Sequence, residues 1–453
     1  MGRRPDPRRP VRFTADDIAQ RTGGEVIGDP SVEVVGATQD SRTVAPGQLF
    51  VPLVAGRDGH EFIPVAVERG ATAYLASDRA RVVDGATAIA VEDTQVALVD
   101  LGRAARHRLD GAVVGITGSV GKTTVKDLAR GVLGAAAPTH ASAASFNNEI
   151  GVPLTLLGTP DGTRHVVVEM GARGIGHIAE LCAIAHPTVG VVTRVAMAHS
   201  ELFGTIEDIA RGKGEMVEQL PADGTAVLNA GDQRVAAMAD RTSARVLTFG
   251  LGVGDVRATT MDVAADLRLR VLLETPWGAI EVEPAARGPH NAENAAAAAA
   301  IGLGVGMDLA DVATGLAAAE MSPLRMAITT SRSGVTILDD SYNANPTSMR
   351  AALDALAHLP AERRVAVVGL MAELGPESDA EHEAVAALAE ELGVELIAVD
   401  CPEYRADAHG GRAVHDIDGA LDLLDGAGTG TAVLAKGSRV AGLDRLVAAL
   451  ADR

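Results

Sequence analysis

A short segment in the first third of the chain restricts its fold more than any other. Ala112-Val113-Val114, an apolar run bounded by glycine, leads into Gly115-Ile-Thr-Gly118-Ser119-Val-Gly121-Lys122-Thr123-Thr124. Behind it Val125, Leu128, Val132 and Leu133 recur at helical spacing. A buried strand, a glycine turn and a helix opening on Gly-Lys-Thr-Thr make a phosphate cradle. The loop amides and helix N-terminus face the anion, Lys122 adds a point charge, and the Thr123 hydroxyl can hold Mg²⁺. The full P-loop pattern wants glycine five residues before Gly121, where Ile116 stands; the glycines here are Gly115 and Gly118.

Length and charge narrow the setting. A chain of 453 residues is long enough for about three domains. Only 2% of it is aromatic, so its cores must be built from Ala, Val, Leu and Ile. A net charge of −20 argues against a nucleic-acid surface and requires positive charge to be gathered locally, as at Lys122. Cys182 and Cys401 have no partner spacing, which excludes a disulfide framework or cysteine zinc site and fits a reducing cytoplasm. The longest small-apolar run, Ala295 to Met307, is too short to span a bilayer. Of 40 basic residues only Lys122, Lys126, Lys213 and Lys436 are lysine. In such a background a lysine points to chemistry a guanidinium cannot supply. Lys126 alone lies outside the motifs, and chance survival on the surface is its competing explanation.

The expected architecture is α/β in three domains behind a disordered basic tail (1–12). Residues 13–108 read as a small N-terminal α/β domain, 109–318 as a central parallel-sheet P-loop domain, and 319–453 as a C-terminal Rossmann-like domain. Strands Val166–Val168 and Val189–Val195 deliver Glu169 and His199 to the carboxyl edge of the central sheet, where ligands bind. Residues 245–286 alternate as short antiparallel strands. Thr347-Ser348 read as the cap of the helix that follows the acidic, amide-rich loop Asp339–Pro346.

With these residues in view, the sequence resembles the Mur ligase family, most closely its MurF branch. The loop Gly-Ile-Thr-Gly-Ser-x-Gly-Lys-Thr carries the family likeness. Ser145-Phe-Asn147-Asn148-Glu149-Ile-Gly, Asp339-Asp-Ser-Tyr-Asn-Ala-Asn-Pro-Thr-Ser-Met-Arg350 and Lys436-Gly-Ser-Arg439 point to the branch. The likeness implies a monomeric cytoplasmic ligase of peptidoglycan precursor synthesis. It would use ATP and two Mg²⁺ to join D-alanyl-D-alanine to a UDP-N-acetylmuramoyl-tripeptide through an acyl phosphate.

The resemblance also implies roles. Gly118, Ser119, Gly121, Lys122, Thr123 and Thr124 would hold the phosphates. Thr123, Glu169, His199 and a carbamylated Lys213 would serve the metals; Lys122, Glu169, His199 and Lys213 form the catalytic set. Asn291 and Asn294 would lie by the adenine, Arg325 at the phosphates, Asp340 at the ribose, and Tyr342, Asn343 and Asn345 beside the nucleotide. Ser41, Arg42, Asp58, His60, Asn147, Asn148, Lys436, Ser438 and Arg439 would face the other substrates. Arg194, Ser200 and Leu370 depart from the branch's usual asparagine, leucine and acidic residue. They leave room for a paralogue with another amine or carboxylate substrate. A P-loop regulator is the further alternative, and the set Glu169, His199 and Lys213 argues against it.

Overall fold

The computed structural model describes residues 11–143, 145–197 and 203–453. The first ten residues of the expected tail, and His199 and Ser200, lie outside the described residues. The tail's last two residues do not belong to a tail. Val11 is buried, its N–H bonds Thr159 O at 2.9 Å, and strand Arg12–Thr14 pairs antiparallel with Glu33–Val35. Apolar Val11 and Phe13 alternate with polar neighbours, and that pattern docks the segment on the core.

Three larger sheets follow. The first orders Glu25–Ile27, Thr87–Ala90, Ala73–Ala76, Leu49–Phe50 and Ala37–Thr38, parallel except at its first strand. Thr14 opens the neighbouring helix Ala15–Thr22 with a capping box to Asp17.

The central sheet has nine strands, and Ala112–Thr117 lies well inside it, between His165–Glu169 and Val189–Val192. Its inner strands Ala112–Thr117, His165–Glu169, Val189–Val192 and Thr225–Asn229 are buried almost throughout because both faces are covered. One face carries the glycine-rich loop's helix Lys122–Ala136 and the alanine-rich helix Asn291–Gly304. Small side chains let these two helices approach each other: a Cβ at Gly302 would sit 2.6 Å from Val132.

The expectation of antiparallel strands across 245–286 needs correcting. Arg245–Leu251 runs parallel to Thr225–Asn229, and Val256–Val263 begins parallel to Arg245–Leu251; only the last two pairings are antiparallel. Left-handed Gly252 and Gly254 turn the short connection, and Thr248 and Asp255 pin it through three hydrogen bonds of 2.7–2.9 Å. Alternation alone does not carry strand direction.

The third sheet orders Ala327–Thr330, Thr336–Asp339, Thr431–Lys436, Arg363–Val368, Glu395–Val399 and Arg412–Val414. It is parallel apart from the first pair. The helix Pro346–His358 starts earlier than its sequence suggests: Asn345 is the cap, Pro346 takes the first turn, and Ser348 closes the capping box. Among the described residues no helix is long and apolar enough to cross a membrane.

Candidate active site

A cleft of about 710 Å³ opens where the carboxyl end of the central sheet meets the loops of the third sheet. One wall is the glycine-rich loop. Gly118 has a φ of 149°, and a Cβ there would lie 1.8 Å from Thr193 Oγ1. Gly121, at φ 85°, would press a Cβ to 2.7 Å from Asn294 Oδ1. Side chains are therefore excluded from both turns, and the backbone is left facing the cleft. Ser119 fastens the loop: its N–H bonds Arg194 O at 2.7 Å, and its hydroxyl exchanges hydrogen bonds with Ala196.

Lys122 donates to Gly118 O at 2.8 Å. Burial pulls its pKa below the usual lysine value, and the neighbouring Arg325 adds to that, while Glu169 acts in the opposite sense. An anion in the cleft would restore the balance of charge.

Behind Lys122, Thr123 Oγ1 donates to Glu169 Oε2 at 2.7 Å, and Asn147 Nδ2 donates to Glu169 Oε1 at 2.9 Å. Glu169 is 2% exposed, so both of its oxygens are fixed by hydrogen bonds and not by solvent. Strand register sets this meeting, since Glu169 pairs with Ile116, just before the loop. A hydroxyl and a carboxylate side by side are hard oxygen donors, which suit Mg²⁺. His199, the expected histidine ligand, is outside the described residues.

Lys213 sits on helix Ile206–Glu218, buried, with its Nζ 5.9 Å from the Phe203 ring centroid. It does not line the cleft. Burial, aided by Lys122, lowers its pKa far below that of a free lysine. On the same helix Glu215 plays a structural part. Its carboxylate accepts Gly176 N at 2.5 Å and Ala179 N at 3.0 Å at the start of helix His177–Ala185.

The opposite wall comes from two elements. Helix Asn291–Gly304 supplies Asn291, Glu293 and Asn294; Asn294 Nδ2 donates to Asn291 Oδ1 at 2.6 Å. Arg194, the departure from the branch pattern, forks onto Glu293 at 2.7 and 2.8 Å. Glu293 and His290 both line the cleft, and no motif singles them out; their place beside Asn291 and Asn294 is the one signal the sequence offers. His290 Nδ1 is buried and has no hydrogen-bond partner.

From the third sheet come Arg325, Asp340, Tyr342, Asn343, Asn345 and Lys436. Arg325 stacks 4.4 Å above the Tyr342 ring. Lys436 is buried and donates to Asp340 Oδ2 and to Asn343 O, the latter at 3.0 Å.

The remaining expected substrate residues fall elsewhere. Asn148 Oδ1 accepts Gly151 N at 2.9 Å at the start of helix Gly151–Leu157. Ser438 is buried and accepts Ala372 N at 2.9 Å; Arg439 pairs with Asp444 at 3.1 Å. Ser41, Arg42, Asp58 and His60 belong to the N-terminal sheet's loops, away from this cleft. Arg42 forks onto Asp40 at 2.9 and 2.8 Å, and these bonds hold the Asp40 carboxyl down at about 2. His60 Nε2 accepts Ser77 N at 3.1 Å, so Nδ1 carries the proton it donates to Asp58 at 2.6 Å. Its ring ties the 56–60 loop to the end of strand Ala73–Ala76.

Comparison with known proteins identifies the family. The Mur ligase middle domain matches residues 116–302, and the Mur ligase glutamate ligase domain matches residues 324–439. A UDP-N-acetylmuramoyl-tripeptide–D-alanyl-D-alanine ligase of Mycobacterium bovis is 38% identical over 97% of this chain and 98% of its own. A MurF crystal structure from Acinetobacter baumannii superposes with a TM-score of 0.87, at 30% identity over 98% of this chain and 100% of that one. MurF from Thermotoga maritima in complex with ADP gives a TM-score of 0.78, at 29% identity over 92% and 97%. The two domain matches and the whole-chain likeness place this chain in the Mur ligase family, in its MurF branch.

Proposed function

We propose that the chain joins D-alanyl-D-alanine to a UDP-N-acetylmuramoyl-tripeptide at the expense of ATP, in cytoplasmic peptidoglycan precursor synthesis. One observation carries this reading most: the Thr123–Glu169–Asn147 constellation stands directly behind the glycine-rich loop and faces a cleft walled by two domains. The length-spanning likeness to D-alanyl-D-alanine-adding relatives supplies the substrates.

The loop amides and Lys122 hold the β- and γ-phosphates in line with the tripeptide carboxylate. A carboxylate oxygen attacks the γ-phosphorus, the bond to ADP breaks, and an acyl phosphate forms. The dipeptide's amine then attacks the acyl carbon and loses a proton, and phosphate departs with the oxygen that the carboxylate brought. Arg325 and Lys122 offset the charge that gathers on the transferred group. Thr123 and Glu169 are the residues that would hold Mg²⁺, with His199 the expected partner. A bound Mg²⁺ supplies charge neutralisation at the phosphates.

Lys213 fits a carbamate. A lysine whose burial favours the neutral amine is the form that adds CO₂, losing a proton to give an anionic carbamate oxygen donor. Arginine cannot do this, which accounts for a lysine in an arginine-writing chain. The Arg194–Glu293 pair lines the cleft beside Asn291 and Asn294.

The route is tested with tripeptide substrate labelled with ¹⁸O in its terminal carboxylate. One label per turnover in the released phosphate is expected; unlabelled phosphate would sink the acyl-phosphate pathway.

A further inference from the structure

Three of the four lysines meet expected partners or chemistry in the site. Lys126 does not, yet it is 3% exposed, one turn beyond Lys122 on the same helix. Its Nζ bonds Asp127 Oδ1 at 2.9 Å and Ser142 O at 3.0 Å. A buried ion pair carries a desolvation cost that two apolar residues would avoid, so its presence needs a reason.

Asp127's other oxygen supplies that reason. Oδ2 accepts the N–H of Ser322 at 2.8 Å, in the linker between helix Leu309–Ala318 and strand Ala327–Thr330. One turn further on, Arg130 bonds Glu320 O at 3.3 Å and its carboxylate at 2.8 Å. Residues 320–322 are thus fastened to the nucleotide loop's helix.

Past Pro323 the allegiance changes. Leu324 and Met326 are left-handed, at φ 61° and 52°, and their partners belong to the third-sheet domain. Tyr342 N donates to Leu324 O at 3.3 Å, and Met326 N donates to Asp340 Oδ1 at 3.2 Å. Arg325, between them, stacks on Tyr342. Ser142 closes the circuit, because its hydroxyl accepts Glu169 N at 3.2 Å.

We propose that the buried Lys126–Asp127 pair is the fixed post of a hinge at Pro323, and that Asp127 is a positioning residue for ligation. It confines rotation of the C-terminal domain to the residues that carry Arg325 into the cleft. This rests on the reading of the chain as a ligase whose cleft lies between its central and C-terminal domains.

Two variants test it. Lys126→Met with Asp127→Leu removes the acceptor while keeping an apolar, volume-matched core. Ser322→Pro removes the donor from the other side, and it also fixes φ at 322 and restricts Met321. Dyes on cysteines introduced at exposed Asp223 and Glu391 report the domain separation by single-molecule energy transfer; the native Cys182 and Cys401 are buried. Both variants should broaden or displace the distribution and lower kcat by about tenfold or more, with ADP affinity unchanged. A wild-type distribution in either folded variant overturns the proposal. Absence of ligation by the unmodified chain would defeat the functional reading instead, and the distance distributions would still decide the hinge.

Discussion

Replacing Asn147 separates two roles that the sequence alone leaves merged. Its position in the Ser-Phe-Asn-Asn motif suggests a contact with the UDP-linked substrate, whereas its Nδ2 donates to Glu169 Oε1 at 2.9 Å. Glu169 is 2% exposed, and Asn147 is the side-chain donor that the structure places on its Oε1. A hydrogen bond to a buried charged group contributes about 2 kcal/mol, or roughly 30-fold in an equilibrium or rate. Removing a partner that orients a metal-binding carboxylate weakens metal affinity about 10- to 100-fold. Asn147→Ala should therefore raise the Mg²⁺ concentration for half-maximal activity about 30-fold. The KM for the UDP-tripeptide at saturating Mg²⁺ should stay near the wild-type value. Asn147→Asp should be worse, because a second carboxylate would face Glu169 where a donor stood. The assay is steady-state phosphate release across a Mg²⁺ titration, with melting temperature as a check on folding. An unchanged Mg²⁺ dependence with a raised UDP-tripeptide KM would refute the reasoning and return Asn147 to the substrate.

Other consequences follow from the same geometry. Lys213→Ala should abolish turnover, and a small carboxylate with high bicarbonate should restore part of it; full activity without rescue would remove the carbamate. In bicarbonate-free buffer Lys213 also has a stability signature. Its folded pKa lies below the unfolded 10.5, so the unfolded chain binds the extra proton and stability rises with pH through that window. Lys213→Met should flatten that rise in thermal melts, and a parallel pH profile would contradict it. Asp340→Asn strips the counter-charge from Lys436, 2% exposed, and should destabilise the fold by about 3–5 kcal/mol in urea melts. His60→Ala should lower the melting temperature through loss of the Asp58 and Ser77 bonds, with no change in ATP KM; a raised ATP KM alone would sink this structural assignment.

How much of this is legible in the sequence depends on how local the cause is. The glycine-rich loop and strand-end Glu169 announce themselves, because period, glycines and strand ends are short-range signals. Thr14 and Asn345 show the same for caps, although Thr347-Ser348 competes with the second until Asn-Pro is given its weight. Asn148, three residues before Gly151, is equally readable at a helix start, and its motif draws it toward the substrate instead. Contacts between distant segments are not legible. Arg194 meets Glu293 across 99 residues, and Asp127 meets Ser322 across 195. Nothing in spacing ties such positions together; strand order does. Lys126 shows the limit most plainly, since a lysine between Val125 and Asp127 looks like surface until the helix is packed on both sides.

The central claim is that the cleft couples ATP to amide formation between two particular substrates. It is tested most directly by incubating the chain with ATP, Mg²⁺, UDP-N-acetylmuramoyl-tripeptide and D-alanyl-D-alanine, omitting each in turn, and measuring product mass and phosphate together. The expected result is the UDP-linked pentapeptide with one phosphate per product, and neither when any component is left out. Phosphate release indifferent to both the tripeptide and the dipeptide, with no pentapeptide, would contradict it.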